Sequence, residues 1–557
     1  MGYIMRKSIF FHATSPELLQ KKNRQLLEAL CSPEGDRSYA NLATPDEECP
    51  TASSRVGFVW ETREEALVSL NGFAQFLASR DETPEKWQDS TGVYRRHGIT
   101  PGVQKLAGIF SGQGAQYPGM GRQLYEQFPF IRQDLDRMDR LMENQGLIPI
   151  SQILFPPGHM DAGEKHFIES LIHFTQYTQP ALGVFTSGLF RVVQRLGFKP
   201  DFIAGLSFGE VLGLWASKAI QDHSLLEVIL SRGIAMALED AAGTGTMMAV
   251  TGNRVRELAE RIKTLPEVFV ESWNSHDQLV LSGHRTRLED LQYTLQDEGY
   301  SAFILLVSGP FHSPFMETAR KKFAIDLARE IFHAPVLPVY SNLTARPYPK
   351  NPDIIREMLI THLVKPVRFS EMIENIHRDG GFTFVELGPK RTVTPLIQNI
   401  LKGKPHETVA LNTGNRKRTQ HRLPSPVSLM AFFKDHPPVP CVTRNISQDG
   451  LRLEGLPRNL AGLQFLDIQI MGMEDRVKGK ILWRQARHAG VKLIHTPWTE
   501  EFFNTMIRDF PPDPDSGPDK DHDRQLRDAV MRLIVLGYPL NKRGREFLSK
   551  KIFKNSI

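Results

Sequence analysis

Cysteine is scarce: Cys31, Cys49 and Cys441 are the only three in 557 residues. With no CxxC pair and no even set, they argue against a disulfide framework and against a zinc site, so no metal is expected. A run of about 18 uninterrupted apolar residues, the length needed to cross a bilayer, is also missing. The amino-terminal MGYIMRKSIFFHATSPELL has only a short apolar run before polar, helix-like sequence, which makes it a poor secretory signal. The expected location is the cytoplasm, with no membrane span. No charge sign dominates: 68 Lys and Arg stand against 63 Asp and Glu, and a net charge of +5 carries no argument for nucleic-acid binding. Internal repeats are absent, and 41% hydrophobic with 24% charged residues is an ordinary globular composition.

The length suggests roughly three or four domains. Residues 1–103 hold a helical pattern from Pro16 to Leu30, a strand-like RVGFVW and a second helical pattern from Thr62 to Ala78. The following DETPEKWQDSTGVYRRHGITPG reads as a loop. Across residues 104–402 the short runs LAGIF, FIAGL, MMAV, LVLSG and TFVEL alternate with amphipathic helices, which predicts an α/β domain with a mostly parallel sheet. The pattern changes near residue 412. After the basic GNRKRTQHR come VSLMAFF, VPCVTRN, LRLEG, LQFLDIQI, VKGKILW and AGVKLIH, evenly spaced and separated by turn residues. They predict a small β-barrel over 414–497. Residues 498–557 read as an acidic, proline-rich linker, PPDPDSGPDKDHD, and a helical tail, RQLRDAVMRLIVLG.

DFIAGLSFGEVLGLWA carries the chemistry. A short apolar run enters Gly205-Leu206-Ser207-Phe208-Gly209 and a helical pattern leaves it. Flanking glycines permit a tight strand-to-helix turn that holds Ser207 exposed and strained. The helix N-terminus offers free N–H groups to a developing oxyanion. A bare GxSxG is a weak signal, because most chance matches are plain turns; strand before and helix after are what single this one out.

Four motifs in order, LAGIFSGQGAQYPGMG, GLSFGE, SRGIAMA and VSGPFHSPFM, resemble those of malonyl-CoA:acyl carrier protein transacylases and polyketide synthase acyltransferase domains, over about residues 100–402. The wording of GVYRR, SGQGAQYPGM, LIHFTQYTQPALGVF and GTMMAVTG is most similar to acyltransferase domains of polyunsaturated fatty acid synthases. Residues 1–103 are similar to the linker that joins a ketosynthase to such a domain. Without a ketosynthase before it, the resemblance implies a free-standing enzyme acting in trans.

The resemblance implies a parallel-sheet, hydrolase-like core with a small ferredoxin-like subdomain at about 243–308. Ser207 would be the nucleophile and His312 the general base, then the general acid. The backbone N–H groups of Gln113 and Phe208 would form the oxyanion hole. The base would be oriented by the main-chain carbonyl of His362, where the family usually has Gln. Arg232, at 232 − 207 = 25 residues beyond the nucleophile, would clamp a malonyl carboxylate through its planar guanidinium. Asn274 matches an Asn near the family's active site, although a strand-end turn explains it nearly as well. Phe311 resembles malonyl-selective rather than methylmalonyl-selective relatives. Leu206 departs from the family's usual His. Catalysis would need no cofactor, with malonyl-CoA as donor and an acyl carrier protein and synthase components as partners.

Arg418 and Arg422 are followed 445 − 422 = 23 residues later by Asn445, Ser447 and Gly450. These resemble the RxxxR and [D/N]xSxxG motifs of PilZ domains, which bind cyclic di-GMP. The chemistry suits that ligand, since arginine pairs in two-pronged fashion with phosphate oxygens and guanine edges. Two other classes stay open: a cyclic di-GMP receptor with a vestigial acyltransferase fold, and a hydrolase using the same elbow.

Overall fold

The computed structural model describes residues 7–42, 54–60, 62–78, 86–88, 92–95, 105–156, 164, 167–168, 170–240, 245–305, 307, 309–411, 421–432, 438–447, 450–454, 465–470, 477–485, 488–493 and 531. The chain divides into two compact units, 1–414 with 522–557, and 415–521.

The first unit opens with an antiparallel sheet of β1 (Lys7–Ala13), β2 (Ser54–Trp60), β3 (Lys86–Gln88) and β4 (Gly92–Arg95), in the order β1-β2-β4-β3. Ser15 starts the helix Pro16–Cys31, its hydroxyl accepting from Leu18 N–H at 3.3 Å with proline in the first turn. That helix and Arg63–Ala78 bury Leu19, Leu30, Leu70 and Phe73 against Phe58, Trp60 and Tyr94. The segment expected to be a loop contains the β3–β4 hairpin. Trp87 faces Tyr94 across it, and these aromatics supply the burial that a polar-looking sequence conceals. On the opposite face, Phe10 and Val59 pack against Met531, the sole described residue of the tail.

The central sheet begins with β5 (Lys105–Phe110) and β6 (Phe202–Gly205). The chain then builds β7 (Gly245–Thr251), β8 (Val268–Trp273), β9 (Gln278–His284) and β10 (Ser301–Ile304) before returning for β11 (Gly381–Leu387) and β12 (Glu407–Ala410). The order β12-β11-β5-β6 is parallel throughout. Every residue of β5 after Lys105 is buried, as expected where both faces of a sheet are covered. β12 lies beyond residue 402, so the sheet outruns the expected limit; its TVAL run was too short to stand out.

Strands β7–β10 form a separate antiparallel sheet, β10-β7-β9-β8, with helices Val255–Ile262 and Arg285–Asp297 in a βαββαβ order. This is the ferredoxin-like arrangement. Its core holds Met248, Leu258, Leu281 and Leu288. Placed between β6 and β11, it brings β8 to the elbow side of the main sheet.

The second unit is a closed antiparallel barrel of β13 (His421–Phe432), β14 (Val439–Ser447), β15 (Gly450–Glu454), β16 (Phe465–Ile470), β17 (Val477–Gln485) and β18 (His488–Leu493). Leu429, Cys441, Leu453, Ile468 and Val491 are buried, and burial pushes the Cys441 thiol up to about 12, which makes it inert.

Candidate active site

Strand β6 ends at Gly205 and the helix Gly209–Ala216 begins two residues after Ser207. Between them Ser207 adopts φ 50°, the left-handed region that costs a non-glycine residue about 1 kcal/mol. The turn is closed by Leu206 N–H donating to Phe110 O at 2.9 Å and Gly209 N–H donating to Leu206 O at 2.9 Å. Both glycines are sterically required. A Cβ at Gly205 would lie 2.1 Å from the Gly209 carbonyl carbon, and one at Gly209 would lie 2.3 Å from Phe110 O.

Asn342 holds the strained turn from outside. Its Oδ1 accepts Ser207 N–H at 3.0 Å and its Nδ2 donates to Gly205 O at 2.6 Å. Asn342 is fully buried and comes from 135 residues downstream, and no motif announced it.

Ser207 Oγ lies 2.6 Å from His312 Nε2. The opposite nitrogen, Nδ1, is 2.8 Å from the main-chain oxygen of His362. A carbonyl can only accept, so Nδ1 carries the proton and Nε2 presents its lone pair to the serine hydroxyl. His312 also has a positive φ, 51°, and is 2% exposed. Burial first, then positive charge at His362 and Arg232, hold its imidazole well below the ordinary value, against backbone hydrogen bonds at His362 and Lys365. A neutral imidazole hydrogen-bonded to a serine is equipped to take its proton.

The loop 111–114 packs on the elbow, where a Cβ at Gly112 would meet Leu206 O at 2.4 Å. Gln113 is held by Gln179 Nε2, which donates to its Oε1 at 2.9 Å. Neither the Gln113 nor the Phe208 backbone N–H donates to another described residue. Two amides beside a nucleophile and without acceptors can receive an oxyanion.

Arg232, on the helix Leu225–Asp240, is 0% exposed, and none of its three guanidinium nitrogens has a hydrogen-bond partner among the described residues. Burial lowers its pKa to about 10, with Glu210 and Tyr348 opposing, so it stays charged at neutral pH. An unpaired buried cation costs several kcal/mol and calls for an anionic ligand.

Phe311 is buried beside His312, and Leu206 is half-buried under the elbow. Asn274 belongs to the β8–β9 turn: it accepts from Ser272 Oγ at 2.5 Å and donates to Gln278 Oε1 at 3.3 Å, and neither bond reaches Ser207 or His312. Glu271, two residues before the Trp273–Asn274 turn, was not foreseen. Its Oε1 lies 4.0 Å from His312 Nε2, and burial raises its carboxyl to about 8. Glu210 is likewise new: it is fully buried, and its Oε2 is 2.7 Å from His362 Nδ1. Among the described residues no cluster of His, Cys, Asp and Glu could hold a metal, and no helix is long and apolar enough to cross a membrane.

Arg418 lies outside the described residues. Arg422, Asn445, Ser447 and Gly450 are described in backbone only. Arg422 is the cross-strand partner of Asn445, and Ser447 that of Gly450 at the β14–β15 turn.

Comparison with known proteins places this geometry. The acyl transferase domain family model matches residues 108–428, which is 321 of 557 residues. A polyunsaturated fatty acid synthase component of Thraustochytrium sp. is 32% identical over 390 residues, 67% of this chain and 13% of that protein. Malonyl CoA-acyl carrier protein transacylase of Bacillus subtilis is 33% identical over 304 residues, 54% of this chain and 91% of that protein. The crystal structure of the acyltransferase domain from the second module of the salinomycin polyketide synthase matches with a TM-score of 0.55 at 25% identity, over 72% of this chain and 88% of that one. The chain therefore spans a small part of the synthase component and nearly all of the transacylase. It belongs to the acyl transferase domain family and is an acyltransferase by that membership.

Proposed function

We propose that this chain transfers a malonyl group from coenzyme A to an acyl carrier protein through an acyl-enzyme ester on Ser207. One observation carries the reading: a buried, unpartnered Arg232 accompanies a serine–histidine pair at 2.6 Å. A thioester donor bearing a free carboxylate satisfies both. As Ser207 Oγ attacks the thioester carbonyl, its proton passes to His312 Nε2. The oxyanion rests on the Gln113 and Phe208 amides, and collapse expels the thiolate, which takes the proton back from His312. The carrier's phosphopantetheine thiol reverses these steps. The His362 carbonyl orients the base, Phe311 shapes the acyl pocket, and Asn274 assists substrate binding. No cofactor enters. A cytoplasmic enzyme serving a polyketide or fatty acid synthase, with residues 1–103 as a linker-like segment, fits this chemistry. Relatives named as malonyl transacylases and as polyketide or polyunsaturated fatty acid synthase components support it. Loading of a phosphopantetheinylated carrier protein from labelled malonyl-CoA tests the proposal. Release of free malonate at the same rate without carrier would favour the hydrolase instead.

For the barrel we infer a PilZ-type module that binds cyclic di-GMP through Arg418, Arg422, Asn445, Ser447 and Gly450. The pairing of Arg422 with Asn445 and of Ser447 with Gly450 supports it, because it gathers those four positions at one end of β13–β15. Calorimetry with the dinucleotide and with Arg422→Ala tests this; no heat from the unaltered protein sinks it. A ligand-binding protein that never loads carrier would instead be a receptor on a vestigial enzyme fold.

A further inference from the structure

Beside His312 lie buried ionisable groups that the transfer chemistry leaves unused. Glu210 and His362 are both 0% exposed, with His362 Nδ1 2.7 Å from Glu210 Oε2. The contact has the distance of an ion pair without the alignment of a hydrogen bond, and His362 Nε2 has no hydrogen-bond partner among the described residues. The other carboxylate oxygen accepts Asn342 N–H at 2.9 Å and the Tyr348 hydroxyl at 2.7 Å, so Glu210 is held firmly. Burial pushes this carboxyl up, but His362, Tyr348 and Asn342 outweigh it and leave Glu210 below its ordinary value, hence ionised. The His362 ring lies 4.4 Å from the His312 ring, tilted by 35°, while its carbonyl accepts from His312 Nδ1 at 2.8 Å. One residue touches the base twice.

We propose that Glu210 and the His362 side chain are positioning residues for His312, which aim the carbonyl at Nδ1. The proposal rests on the reading of Ser207 and His312 as the reacting pair. The anchoring follows from geometry: the carboxylate fixes the ring, and the ring fixes the backbone it grows from. The described groups around the base are Glu210, Arg232, Glu271, Tyr348 and His362. Burial first, then His362 and Arg232, hold the His312 imidazole below its ordinary value. His312 keeps its lone pair free in mildly acid solution.

Two readouts on the full chain test this. Imidazole nitrogen NMR of histidine-labelled protein, assigned with His312→Ala and His362→Gln, follows protonation without turnover. In His362→Gln the His312 signal should titrate at higher pH than in the unaltered protein. Ser207 acylation by malonyl-CoA reads the consequence. His362→Gln keeps the carbonyl and an amide able to face Glu210, so its plateau should fall less than that of His362→Ala while its acid limb moves up by about one pH unit. His362→Ala loses the anchor, so kcat should fall about tenfold or more with KM little changed. A His312 titration or an acid limb unmoved in His362→Gln, or a kcat unchanged in His362→Ala, overturns the proposal. An inactive protein whose His312 titration still moves up in His362→Gln would sustain the pair and sink the acyl-transfer reading.

Discussion

Arg232 is charged, buried and without a partner among the described residues, which no ordinary folded site tolerates without a reason. Arg232→Ala should lower kcat/KM for malonyl-CoA by roughly 10²–10³, a few kcal/mol of transition-state binding, and affect acetyl-CoA less. Equal losses for both donors would remove Arg232 from carboxylate recognition. Glu271 makes a prediction about stability. Its ordinary value of 4.5 is raised to about 8 by burial, so the folded protein holds a proton that the unfolded chain has released. Stability therefore falls as pH rises from about 4.5 to 8, and the penalty is complete above that window. Glu271→Gln should gain on the order of a few kcal/mol over the unaltered protein at pH 8 and nothing near pH 4, as read by urea unfolding. His312 has the opposite sign. Its lowered value means the native state resists a proton that the unfolded chain accepts below about 6.5, so stability drops as pH falls through that value.

Among the elements, the elbow was legible because every part of it is local: a strand, two glycines, a serine and a helix within 16 residues, DFIAGLSFGEVLGLWA. The small subdomain was not legible in the pattern: MMAV and LVLSG read as runs of the parallel sheet but lie in the separate antiparallel one, and the family resemblance alone implied it. What escaped notice assembles from afar. Asn342 reaches Ser207 across 135 residues and Glu210 meets Tyr348 across 138, and no spacing rule links such positions. The β3–β4 hairpin and β12 escaped because strands of three or four residues carry too little alternation to be seen. The Asn342 brace predicts its own test. Asn342→Ala removes the acceptor of Ser207 N–H and the donor to Gly205 O, leaving buried groups unpaired at about 1–3 kcal/mol. Acylation of Ser207 should slow by about tenfold or more, because the strained φ loses its support. An unchanged acylation rate in a folded Asn342→Ala protein would mean the elbow holds itself.

At the scale of the whole molecule, the chain returns to its beginning. Met531 lies more than 400 residues beyond β1 and β2 (531 − 59 = 472), yet packs on Phe10 and Val59 within the same compact unit. The barrel-bearing segment 415–521 is thereby an insertion between two parts of one body. Met531→Asp should place a charge on that buried contact and cost about 2–4 kcal/mol, lowering the unfolding midpoint of the first unit. A midpoint that does not move would leave the tail without a structural part. The six barrel strands, and a barrel built from them, could be read from evenly spaced apolar runs; which strands meet to close it, β13 and β16, could not. The central claim for the molecule is that Ser207 carries the acyl group, and intact-mass spectrometry after mixing with malonyl-CoA tests it most directly. The account predicts one malonyl adduct on the unaltered protein, mapped to Ser207, and none on Ser207→Ala. An adduct that persists in Ser207→Ala, or its absence from the unaltered folded protein, would contradict it.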